Sequence, residues 1–77
     1  MPHAISLAMT ATVLLLLDRH RGQWCSLGWL AQRAGTSTDY VAEHVHALPT
    51  DAQVHTLLIG GEPYFGVGCS ESSPPLA

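Results

Sequence analysis

Apolar positions cluster in the first third of the chain and then recur in short runs. Over residues 5–20, Ile5, Ala8, Thr12 and Leu15 form one stripe at helical spacing, and Leu7, Ala11, Leu14 and Leu17 fill the next. This predicts a first helix whose apolar arc is wide. Such a helix is central in the core or also faces a partner. The polar run Asp18-Arg19-His20-Arg21 closes it, and Gly22 suits the stop.

Residues 23–25, Gln-Trp-Cys, read as a short extended piece. Ser26 is placed to cap a second helix over residues 27–34, ended by Gly35. Ser37 or Thr38 can cap a third helix with Asp39 in its first turn, running to about Leu48 before Pro49 stops it. The rhythm then changes. Residues 53–59 and 63–67 are extended runs around Gly60-Gly61, the pattern of a β-hairpin. The Ser/Pro-rich residues 69–77 predict a disordered tail, leaving one domain over residues 1–68.

The order is helix, short strand, helix, turn, helix, hairpin. Within it stand Leu30-Ala31, Gly35 five positions after the Leu, and Val41 eleven after it, continued by Val45 and Leu48. This pattern resembles the winged helix-turn-helix superfamily, in particular small stand-alone bacterial transcription regulators. The resemblance covers residues 5–67. It implies an α+β fold of three helices, a short strand between the first two and a C-terminal hairpin wing. It also implies binding of double-stranded DNA, the third helix entering the major groove and the wing touching the flanking backbone. Ala31, Val41, Val45 and Leu48 are then expected to bury together against Leu14, Leu17 or their neighbours.

Charge changes that picture. The 77 residues carry three Lys+Arg against six Asp+Glu, a formal net charge of −3, with 47% hydrophobic and 12% charged residues. There is no Lys; the cations are Arg19, Arg21 and Arg33. Affinity for nucleic acid rests mostly on neutralised phosphate charge. With Val41, Val45 and Leu48 inward, 100° steps turn Asp39, Tyr40, Glu43, His46 and Ala47 outward and leave His44 on the flank. The third helix therefore offers acids and no Arg, and the wing offers Glu62. Arg33 is the one cation expected near DNA. The candidate DNA- or partner-binding set is Arg33, Ser37, Thr38, Asp39, Tyr40, Glu43, His46 and Tyr64.

Two functions follow. The first is a transcription-regulator-like domain that binds DNA weakly alone and acts as a dimer or beside a partner. The second is a protein-interaction module of the same fold without useful DNA affinity, with Tyr40, Tyr64 and Phe65 as contact aromatics. A weak homodimer through the first helix or the wing is expected, because few charges cover an apolar chain.

Other chemistry finds little support. His44 and His46 point about 160° apart on a helix and do not share one metal ion easily. Cys25 and His20 lack a recognisable third group for nucleophilic catalysis. Gly60-Gly61 matches no phosphate-binding motif. No enzyme activity, metal or cofactor is expected. Cys25 and Cys69 read as free thiols of a cytoplasmic protein. Trp24 and Trp29 read as packing residues. The apolar run ending at Leu17 is shorter than the ~20 residues of a membrane span and lacks the flanks of a signal peptide.

Overall fold

A computed structural model describes residues 5–76. Three helices, α1 (Leu7–Arg19), α2 (Leu27–Ala34) and α3 (Thr38–His46), accompany four strands, β1 (Trp24–Ser26), β2 (Val54–Ile59), β3 (Glu62–Val67) and β4 (Pro75–Leu76). The sheet order is β2-β3-β1-β4. The expected α+β class and order of elements are present; a short 3-10 turn at Thr50–Ala52 and strand β4 are additions.

Each helix starts where a hydroxyl satisfies an otherwise orphaned N–H. Ser6 Oγ accepts from the Met9 N–H, Ser26 Oγ from Trp29, and Ser37 Oγ from Tyr40. α2 ends at Gly35, whose φ of 73° is the left-handed conformation that a Cβ disfavours. The turn into α3 follows from that residue. The caps also shorten the expected helices: α1 begins after Ser6, and α3 stops at His46.

β2 and β3 form an antiparallel hairpin in which Ile59 faces Glu62 across Gly60-Gly61. Both glycines have positive φ, as a two-residue type I′ turn requires. β3 also pairs antiparallel with β1, with Cys25 opposite Phe65 and Ser26 opposite Tyr64.

The core lies between the helices and one face of the sheet. Val13, Leu17, Leu30, Ala31, Val41 and Val45 pack there against Cys25, Phe65 and Val67. Ala31, Val41 and Val45 are buried with Leu17 as expected, while Leu48 is only partly buried against the cluster. The phase of α1 needs correction. Its buried line is Val13 and Leu17 with Met9 and Leu16 beside them, whereas Leu7 and Leu15 are 86% and 58% exposed. An arc apolar nearly all round holds no phase information, so the docking of α3 and the sheet chooses the buried side.

Residues 69–76 also depart from expectation. β4 pairs parallel with β1, the Trp24 N–H donates to Pro74 O, and the Trp24 indole Nε1–H donates to Ser70 O. Ser70 and Ser73 close a turn between them. Composition alone pointed to a disordered tail, yet the outer face of β1 exposes a large indole that this segment covers. Gly66 makes room for the covering: a Cβ there would collide with Cys69 Sγ and stand 3.0 Å from Gln23 O.

Candidate functional site

The expected site residues fall into separate groups. Thr38, Asp39 and His46 are exposed on α3 and Ala47 just after it, and Ser37 is spent on the N-terminal cap. Tyr40 and Glu43 are half-buried and so are not fully outward. The Tyr40 ring lies 4.5 Å from that of His44. Oε2 of Glu43 is buried with no hydrogen-bond partner among the described residues.

His44 is a core residue, which corrects its flank assignment. It is 0% exposed. Its Nε2 accepts from the Ser6 backbone N–H at 2.9 Å, and its Nδ1 lies 2.7 Å from Tyr40 O. An N–H on one side and a carbonyl on the other select the neutral tautomer with the proton on Nδ1. His44 thereby fastens the start of α1 to α3. Together with 41, 45 and 48 it completes the i, i+3, i+4, i+7 spacing of a buried face. That was the available signal, masked by the residue's polarity.

Arg33 is exposed but stands over the Trp29 ring, with its guanidinium carbon 5.2 Å from the ring centroid. His20 meets the same indole edge-on at 4.8 Å. Trp29 is therefore a half-buried packing residue between α1 and α2. Arg21 pairs with Asp18 at 2.6 Å, both exposed. On the other flank of α2, a Cβ placed on Gly28 would lie 3.7 Å from Glu62 Oε1.

Tyr64 does not join α3. Alternation along β3 sets Phe65 and Val67 toward the core and hence Tyr64 toward the opposite face. The hairpin tip is more telling. Leu58 and Ile59 are 69% and 38% exposed, and Glu62 is its only formal charge. Between this hairpin and the end of α3 lies a cleft of about 220 Å³ lined by Val45, His46, Leu48, Pro49, Thr50, Val54 and Thr56. Of this surface the sequence pointed to His46 alone; Leu58 and the rest of the cleft lining were missed as site residues, because the strand's edge position depends on sheet order.

The thiols lie on opposite faces of the sheet, Cys25 in the core and Cys69 over Gly66. Both are free. Burial first, and then the charge of Cys69, pushes the Cys25 thiol up to about 11. Burial also raises Cys69, opposed by a backbone hydrogen bond from Gly22. Neither has the depressed pKa of a reactive thiolate. Among the described residues no group of three or more His, Cys, Asp and Glu could hold a metal, and no helix is long and apolar enough to cross a membrane. Comparison with protein-family models, curated proteins and solved structures gives no match to this chain.

Proposed function

We infer that the chain is a winged helix-turn-helix domain working as a protein-interaction module, with α3 and the hairpin as its contact elements. The order of elements and the exposed α3 beside a hairpin support the fold. One observation carries the function: the surfaces such a domain would turn to DNA are acidic or apolar. Exposed α3 offers Asp39 and the rim of Glu43, the hairpin offers Leu58, Ile59 and Glu62, and no Lys or Arg lies on either element. Base-reading helices work beside cationic phosphate clamps. Arg33, the cation expected to help, is held over Trp29.

A DNA-binding regulator is the second reading, favoured by the element order alone. It would make one or two phosphate contacts per chain and show a shallow salt slope, about −0.9 per contact.

Titration of a labelled random-sequence duplex at low and physiological salt separates the two. The interaction reading expects no measurable binding by the wild type or by Asp39→Asn/Glu43→Gln, which removes two negative charges at nearly constant shape. A DNA reader would bind severalfold tighter in the double variant at low salt. Nanomolar wild-type affinity with a steep salt slope would overturn the interaction reading.

A further inference from the structure

The two edges of the sheet differ. One edge is β4, two residues long, containing Pro75 and preceded by Pro74. Shortness and proline are the usual means of blocking strand addition. The other edge is β2, six residues of sequence Val-His-Thr-Leu-Leu-Ile. It contains no proline, no Asp or Glu and no Lys or Arg. None of the usual protections of an edge strand is present there.

Hydrogen-bond parity identifies the backbone groups on that edge. In an antiparallel pair, opposed residues alternate between exchanging hydrogen bonds and pointing them away. Val67 O accepts from the Gly22 N–H, so Val67, Phe65 and Pro63 turn their backbone groups away from β2. Pro63, which has no N–H, fits that side. Their partners in register are Val54, Thr56 and Leu58. These three residues present their N–H and C=O groups outward along the open edge.

We propose that β2 pairs antiparallel with β2 of a second copy of this chain, centred on Thr56, to form a closed dimer with one continuous sheet. Two-fold symmetry about Thr56 makes it exchange both bonds with its own counterpart and sets Val54 opposite Leu58 of the second copy. Val54 and Thr56 line the cleft of about 220 Å³ beside α3. Leu58 is the exposed apolar knob of the hairpin, at 69%. Each copy thus brings a leucine to the rim of the other's cleft. A contact in which the same patch serves as knob and hole is isologous.

Charge agrees with this occupant. Two chains of net charge −3 meet along a strip without formal charge, with Asp51 and Glu62 outside it. Closure also follows: pairing consumes β2 in both copies, and the remaining edges are the proline-bearing β4 strands, so growth stops at two. One strand pair and one leucine per copy cover less than the ~800 Å² per partner of a standard interface, which puts the dimer in the small, transient class. The pairing does not depend on what α3 binds.

Sedimentation velocity across concentration, with amide hydrogen exchange on the same samples, tests this. The wild type is expected to dimerise reversibly toward millimolar concentration. Exchange at Val54, Thr56 and Leu58 should slow as the dimer forms, while His55, Leu57 and Ile59 stay protected throughout. Thr56→Pro removes an outward N–H, and Leu58→Lys adds charge at an exposed site. Both should keep the far-UV circular dichroism of the wild type and abolish association. A strict monomer at millimolar concentration overturns the proposal. So does a dimer whose β2 amides exchange unchanged, or one indifferent to both substitutions, because the contact would then lie elsewhere, such as on Leu7 and Leu15 of α1.

Discussion

Cys25 shows how burial alone reassigns a side chain's chemistry. It is fully buried opposite Phe65 in the core, and its thiol rises from 9.0 to about 11. The folded state therefore holds a proton that the unfolded chain releases earlier. A raised pKa for a group that is neutral when protonated contributes stability that is complete below pH ~9 and is lost as pH rises toward 11. Cys25→Ala is expected to be less stable than the wild type at pH 7, because it leaves a small cavity. It should lose less on going to pH 10.5, so the two urea midpoints converge. Equal losses in both proteins would show that Cys25 is not the titrating group.

At the scale of elements, a polar contact within an apolar seam helps to dock α1. His44 ties the first turn of α1 to α3 through the Ser6 N–H, while Val13 and Leu17 fill the seam below. His44→Leu keeps comparable apolar bulk but leaves that N–H unpaired, at a cost of about 1–3 kcal/mol. His46→Leu, on the exposed side of the same helix, is expected to change stability by less than ~0.5 kcal/mol. Urea unfolding of both variants decides this. Equal effects would return His44 to the surface position that its polarity suggests.

For the whole molecule, the C-terminal segment is a structural part of the sheet. It supplies Pro74 O and Ser70 O to the two N–H groups of Trp24 and adds β4 at the edge. Trp24 is 4% exposed because of it. In a chain this small the buried fraction of surface is only about 60%, so losing one covering layer matters. A chain ending at Gly68 is expected to show a red-shifted tryptophan emission and a lower melting temperature. Unchanged emission would mean that residues 69–76 do not cover Trp24. The same truncation would uncover the β1 edge, and the closed dimer would no longer be protected from further strand addition.

Much of the architecture was legible because local chemistry decides it. Ser26, Ser37 and Gly35 mark helix ends by hydrogen bonds and backbone conformation within a few residues, and Gly60-Gly61 specifies a hairpin through its own φ angles. Val41 and Val45 revealed the inner face of α3 through spacing alone. The candidate site was less legible. Asp39 and His46 are exposed as the helical phase suggested, and the absence of cations on α3 could be read directly. Whether Arg33 is free to meet a ligand, whether Tyr64 shares a face with α3, and which side of α1 is buried all depend on contacts between elements far apart in sequence. The same holds for the exposed edge of β2, since a strand becomes an edge only when the sheet order leaves it without a neighbour. Sequence determined where each element begins and ends, because caps and turns are local. Tertiary structure decided which faces are buried and which backbone groups remain unpaired, because those follow from packing between distant segments.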